Sequence, residues 1–171
     1  IKNSTLKSVL GAIEGTYYRI KKIYTNKINL IITPSEFYKT KLIDDGIKKE
    51  KVKVIHNFID IEKYNVETQD DGYALYFGRL SKEKGVINLI NAFLKTETGM
   101  LYIAGEGEEK ENIEKLINEN KLNHKIKLLG FLDSVQMKEY IRKCKFVVVP
   151  SIWYENCPYS IIDPLAIGKP I

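Results

Sequence analysis

Two cysteines, three arginines, two histidines and one tryptophan are all that the 171 residues contain of these types. Two cysteines, Cys144 and Cys157, cannot build a disulfide framework, so a reducing compartment, the cytoplasm, is expected. Arginine makes up 3 of the 27 cations, which is poor equipment for bidentate reading of base edges; no nucleic-acid partner is expected. No apolar run approaches the roughly 18–20 residues of a membrane span, and the longest buried-looking stretch is Phe146–Val149. His56 and His124 stand alone, and Asp44-Asp45 and Asp70-Asp71 are adjacent pairs in turn-like settings. Neither pattern has metal-ligand spacing, so no metal site is expected. The chain has no initial methionine and no charged-then-apolar leader, and it stops at Gly168-Lys169-Pro170-Ile171, where an apolar strand should begin. The expectation is a segment of a longer protein.

What is present is an ordinary globular composition, 44% hydrophobic and 29% charged, with a net charge of +5. That charge is unevenly placed. Residues 1–60 carry 12 Lys/Arg against 6 Asp/Glu, whereas residues 61–171 carry 15 against 16. The change of balance suggests a domain boundary near residue 60. The basic first third suits contact with an anionic membrane surface, although a lysine-rich face bathed in solvent is the plainer explanation.

Apolar residues at Leu6, Val9, Leu10, Ile13, Tyr17, Ile20 and Tyr24 recur at helical spacing and predict an amphipathic helix over 4–25. A short strand over Ile28–Ile32 follows, then a helix capped by Ser35 and ended by Gly46, then a strand over Val52–Ile55. From Tyr73 the rhythm is regular. Strands are expected at Tyr73–Phe77, Met100–Ala104, Ile126–Leu129 and Phe146–Val149, with helices over about 85–95, 108–120, 134–143 and 160–167. Four strand–helix units joined by short loops predict an α/β protein with a doubly wound parallel sheet, Rossmann-like. Such sheets bind ligands beyond the carboxyl ends of their strands, so function is sought in segments 78–85, 105–108, 130–134 and 150–160.

In the first of these, Gly78 and Gly85 bracket Arg79 and Lys84, placing two cations beside a helix start. Cations with unsatisfied amides make an anion site, with phosphate the obvious anion; a solvated turn is the alternative. Gly105-Glu106-Gly107 lacks the third glycine of the dinucleotide fingerprint, and suits either a close ligand or a tight turn. The loop Ser151–Ser160 holds Glu155, able to accept from sugar hydroxyls, together with Trp153, Tyr154 and a helix entry after Asn156. Asp163 follows eight residues after Glu155, where ordinary helix-start chemistry also accounts for a carboxylate.

Taken in order, Gly78-Arg79-Leu80-x3-Lys84-Gly85, Ile103-Ala104-Gly105-x-Gly107, Leu129-Gly130-Phe131 and Pro150-Ser151-x3-Glu155-x7-Asp163-x4-Gly168-Lys169-Pro170 resemble the C-terminal half of family-4 glycosyltransferases. These are retaining sugar-nucleotide enzymes built of two Rossmann-like domains, the GT-B type. Thr33-Pro34-Ser35-Glu36 and His56-Asn57-Phe58-Ile59-Asp60 are similar to the end of that family's N-terminal domain. The resemblance implies that residues 1–62 are the end of an acceptor-side domain with its linker. It implies that residues 63–171 are a nucleotide-sugar-binding domain truncated at its C-terminus.

The resemblance also implies roles. Arg79 and Lys84 would grip the donor diphosphate, and Glu155 would hold hydroxyls of the transferred sugar; these three form the implied catalytic set. Asp163 stands where a glutamate would bind the ribose, one methylene short and followed by Pro164. The backbone of Asn156, Cys157, Pro158 and Ser160 would contact phosphate, Phe131 and Leu132 would lodge the base, and Gly78 and Gly105 would line the donor site. No metal or cofactor is implied. The implied partners are a nucleotide-sugar donor and a glycan or lipid-linked acceptor, in glycan biosynthesis. Peripheral contact with the inner face of the membrane is a further option. Two other functions stay open: a nucleotide-sugar-binding module without turnover, and a sugar-nucleotide epimerase on the same architecture.

Overall fold

The computed structural model describes residues 5–97 and 99–171 of the 171-residue chain. The chain separates into two compact units, Ile1–His56 and Asn57–Ile171. The second unit contains every residue expected at the donor site.

In the first unit, α1 (Thr5–Ile20) is followed by a four-residue α2 (Ile23–Asn26), β1 (Ile31–Thr33), α3 (Glu36–Asp44) and β2 (Val52–Val54). The single helix expected over 4–25 is therefore two, and its start at residue 4 lies outside the described residues. The break falls at Lys22, which takes a left-handed conformation (φ 49°) that a helix cannot contain. The apolar stripe of α1 is exposed: no residue of the helix is buried, and Leu6 and Ile20 are 71% and 74% exposed. β1 starts three residues later than expected and pairs in parallel with β2, Ile31 opposite Val52 and Thr33 opposite Val54. Ser35 caps α3 as its sequence position suggests: its hydroxyl accepts from the Tyr38 N–H at 3.3 Å.

The second unit is a four-stranded parallel sheet of β3 (Tyr73–Phe77), β4 (Met100–Ala104), β5 (Ile126–Gly130) and β6 (Phe146–Val147), in the order β5-β4-β3-β6. Period-two alternation divides β3 between two cores. Ala74 and Tyr76 face α4 (Val86–Leu94) and α5 (Lys110–Glu119), packing on Leu89, Ile90 and Ile113. Tyr73 and Leu75 face α6 (Ser134–Lys143) and α7 (Tyr159–Ile167), packing on Ile141, Cys144 and Ile167. Burial on both faces explains why β3 reads as a continuous apolar run. It also pushes the Cys144 thiol up to about 11, so this cysteine behaves as a small core residue. Lys125 is buried and donates to the carbonyls of Phe93 and Thr96 at the end of α4.

The chain order places the switch point. From β3 the sheet grows outward through β4 and β5, then returns to the other side of β3 to add β6. The crevice at such a reversal opens between the loops that leave β3 and β6. These are two of the four segments singled out from the sequence. Beyond Gly168 the chain returns to the sheet, where Val147 N–H donates to Pro170 O at 2.9 Å.

Candidate functional site

The loop after β3 turns at Gly78, where the buried Tyr76 hydroxyl donates to Arg79 O at 2.8 Å and pins the turn. Burial, with the charges of Glu155 and Glu83 beside it, keeps the Tyr76 phenol above its ordinary range and therefore a neutral donor. The neighbouring loop is pressed against this one: a Cβ at Gly105 (φ 141°) would lie 1.9 Å from Gly78 O. Gly105 thus serves loop-on-loop packing, a close approach by backbone. Gly85 (φ 68°) opens α4, and its own Cβ would lie 2.1 Å from Pro150 O in the loop after β6. Glycine at that position lets the two loops meet, and Ile152 N–H seals the junction by donating to Glu83 O at 3.0 Å.

Where they meet, a cleft of about 340 Å³ is lined by Gly78, Arg79, Lys84, Glu155, Pro158 and Ser160, together with Tyr76, Ser151 and Tyr159. Lys84 Nζ lies 2.6 Å from Glu155 Oε1, linking residues 71 apart in the chain. Ser151 Oγ donates to the same carboxylate oxygen. Burial raises the Glu155 carboxyl, but the bonds from Lys84 and Ser151 and the Lys84 charge outweigh it, leaving it below its ordinary range. Arg79 is more exposed, with its guanidinium 3.9 Å from Glu83. A wider cavity, of about 880 Å³, lies in the first unit among residues of α1, β1 and α3, and holds none of the expected site residues.

The cleft ends at α7, which starts one residue ahead of the expected 160. The helix begins at Tyr159 with Pro158 as its cap residue, so Ser160 is inside it. Pro158 supplies a fixed extended-to-helix turn, and its carbonyl accepts from Ile161 and Ile162. Pro164 is therefore the sixth helical residue, and it deprives the Ser160 carbonyl of its helical donor. Asp163 sits beyond the first turn, where the dipole no longer accounts for a carboxylate. It does not line the cleft; Tyr64 OH donates to its Oδ1 at 2.8 Å.

The remaining expected residues are placed as follows. Asn156 and Cys157 are half-buried in the loop before α7, and Cys157 takes a left-handed backbone (φ 53°). Asn57 Nδ2 donates to Cys157 O at 2.8 Å. Phe131 is 77% exposed and Leu132 half-buried, both after β5 and away from the cleft lining. Lys169, part of the quoted motif, is buried and donates to Gln69 O at 2.7 Å, a structural anchor. Tyr76, Asn57 and Tyr64 drew no functional reading from the sequence, since each acts through a partner far along the chain or through backbone; Ser151, which drew none either, bonds Glu155 only four residues on. Among the described residues no group of three His, Cys, Asp or Glu is placed to hold a metal ion. No described helix is long and apolar enough to cross a membrane.

A doubly wound parallel sheet with a cationic cleft at its switch point is the plan of a nucleotide-binding α/β protein. The family follows from comparison. Residues 57–171 match the model of glycosyl transferases group 1, residues 5–63 match that of glycosyltransferase family 4, and the chain belongs to this GT-B glycosyltransferase family. It is 33% identical over 141 residues to an uncharacterized glycosyltransferase of Methanocaldococcus jannaschii, covering 72% of this chain and 36% of that protein. It is 33% identical over 147 residues to the N-acetylgalactosamine-N,N'-diacetylbacillosaminyl-diphospho-undecaprenol 4-alpha-N-acetylgalactosaminyltransferase of Campylobacter jejuni, covering 82% of this chain and 40% of that one. HepE of Anabaena, solved in complex with UDP and glucose, has a TM-score of 0.72 and 25% identity over 87% of this chain and 46% of its own. A mutant of TarM from S. aureus shares the fold, with a TM-score of 0.75, 23% identity, and coverage of 85% and 30%. The chain spans less than half the length of these relatives.

Proposed function

We propose that the second unit is the donor-binding half of a glycosyltransferase that moves a sugar from a nucleoside-diphosphate sugar to a glycan or lipid-linked acceptor, with retention of configuration. The observation that carries this reading is the Lys84–Glu155 pair beside Arg79 in the switch-point cleft of a chain belonging to the family. Arg79, Lys84 and the amides at the start of α7 meet the negative charge that builds on the leaving diphosphate. Glu155, held ionised, accepts hydrogen bonds from hydroxyls of the transferred sugar. The loop through Asn156, Cys157 and Pro158 presents backbone to the phosphates, Asp163 binds the ribose, and Phe131 and Leu132, outside the cleft lining, are the residues assigned to the base. On this reading side chains and backbone amides meet the charge on the diphosphate, with no metal or cofactor taking part.

The donor base is open; UDP bound to HepE makes uridine the first to try. The undecaprenol-linked substrate named for the Campylobacter relative supports a lipid-linked acceptor and peripheral contact with the cytoplasmic face of a membrane. The test is to screen the full-length protein against uridine, guanosine and adenosine diphosphate-sugars, and to assign the anomer formed on an acceptor by NMR. An inverted product overturns retention, and binding of no donor overturns the reading. Pro164 inside α7 favours a second reading, donor binding without turnover. Release of nucleoside diphosphate that depends on acceptor excludes it.

A further inference from the structure

The Asp163 carboxylate is a misfit for the role assigned to it, being one methylene shorter than the glutamate of the family pattern. Its surroundings supply a compensation. Tyr64 comes from the segment that precedes β3, 99 residues earlier in the chain, yet its hydroxyl lies 2.8 Å from Asp163 Oδ1. The Tyr64 ring is itself held from α6, where Lys138 Nζ stands 4.4 Å from its centroid. Burial, then the bond and charge of Asp163, push the phenol up to about 12, so it stays a hydrogen-bond donor at any ordinary pH. Asp163 lies three and four residues after Ser160 and Tyr159, which line the cleft, and thus on their face of α7.

We propose that Tyr64 is a positioning residue of the donor site: by binding one oxygen of the Asp163 carboxylate, it sets the other toward the ribose hydroxyls of a bound nucleoside diphosphate. The inference rests on the ribose role proposed for Asp163. A free aspartate side chain rotates about two bonds and must be ordered when ligand binds; one already held by Tyr64, whose ring lies under Lys138, loses less freedom. The tyrosine hydroxyl is therefore a specificity device for ribose over deoxyribose, although it touches neither.

The experiment titrates full-length wild type, Tyr64→Phe, Asp163→Asn and the double variant with uridine, guanosine and adenosine diphosphates and their 2′-deoxy forms. Tyr64→Phe keeps the ring beneath Lys138, and thermal unfolding checks that the fold is intact. Wild type is expected to prefer the ribose form about tenfold. Tyr64→Phe is expected to weaken the ribose form about five- to tenfold and leave the deoxy form unchanged, with no further effect once Asp163 is asparagine. Equal weakening of both forms, or no change, while Asp163→Asn still abolishes the preference, overturns the role of Tyr64 and leaves the donor reading standing. Wild type indifferent to the 2′-hydroxyl, or Asp163→Asn without effect, overturns the ribose role itself and with it that of Tyr64.

Discussion

Glu155→Gln separates the electrostatic role of this side chain from its shape. The carboxylate accepts from Lys84 at 2.6 Å and from Ser151, with 22% and 27% of the Glu155 and Lys84 side chains exposed. A hydrogen bond to a charged group is worth roughly 1.5–3 kcal/mol, and the amide retains a weaker version of it. Partial exposure reduces the ionic part further. The expected loss is about 1–2 kcal/mol of unfolding free energy near neutral pH. Its pH dependence is the sharper signature. The Glu155 carboxyl is held below its ordinary value of 4.5, so the unfolded chain takes up the proton first. The stabilisation is therefore fully present above pH 4.5 and is lost as pH falls through the lower folded value. Urea unfolding of wild type and variant between pH 3 and 7 should give a gap that closes at the acid end. On the functional side, sugar-nucleotide turnover should fall sharply while affinity for free nucleoside diphosphate barely moves. A stability gap independent of pH, or equal losses of turnover and nucleotide affinity, would refute the reasoning.

Arg79→Ala and Lys84→Ala should each weaken nucleoside-diphosphate binding about 10- to 100-fold by isothermal titration; an unchanged affinity in the folded double variant removes the phosphate site. Gly105→Ala should cost roughly 3–5 kcal/mol in urea unfolding, because its Cβ would meet Gly78 O at 1.9 Å; near-native stability would show that the two loops do not pack as described. Full-length protein should sediment with anionic vesicles at low salt and be released at high salt, through lysines of the first unit such as Lys48, Lys49 and Lys53. Lys51 is not among them, since its Nζ donates to Thr25 O and Ile28 O at 2.6 and 2.9 Å; absence of binding at low salt leaves a merely solvated surface.

Strands β3 and β4 and helix α6 begin and end where the sequence places them, because their boundaries are local: apolar runs closed by Gly78 and Gly105, and Asp133 capping α6 with Gln136. The order of strand–helix units was enough for a parallel doubly wound sheet, and the spacing singled out Arg79, Lys84 and Glu155, which the structure brings to one cleft. Which strand-end loops converge was not legible in the sequence. All four were equal candidates until the order β5-β4-β3-β6 set the loops after β3 and β6 side by side. Local rules set the start of α7 to within one residue, at Tyr159 after Pro158, but left open what covers α1, whose periodicity specifies a stripe and not its packing. The partners of the site residues were the least accessible, because Lys84 with Glu155, Asn57 with Cys157 and Tyr64 with Asp163 are joined across 71 to 100 positions. Residue type and spacing encode the chemistry available to a chain; the pairing of side chains so far apart exists only once the sheet has closed and brought their loops to one end.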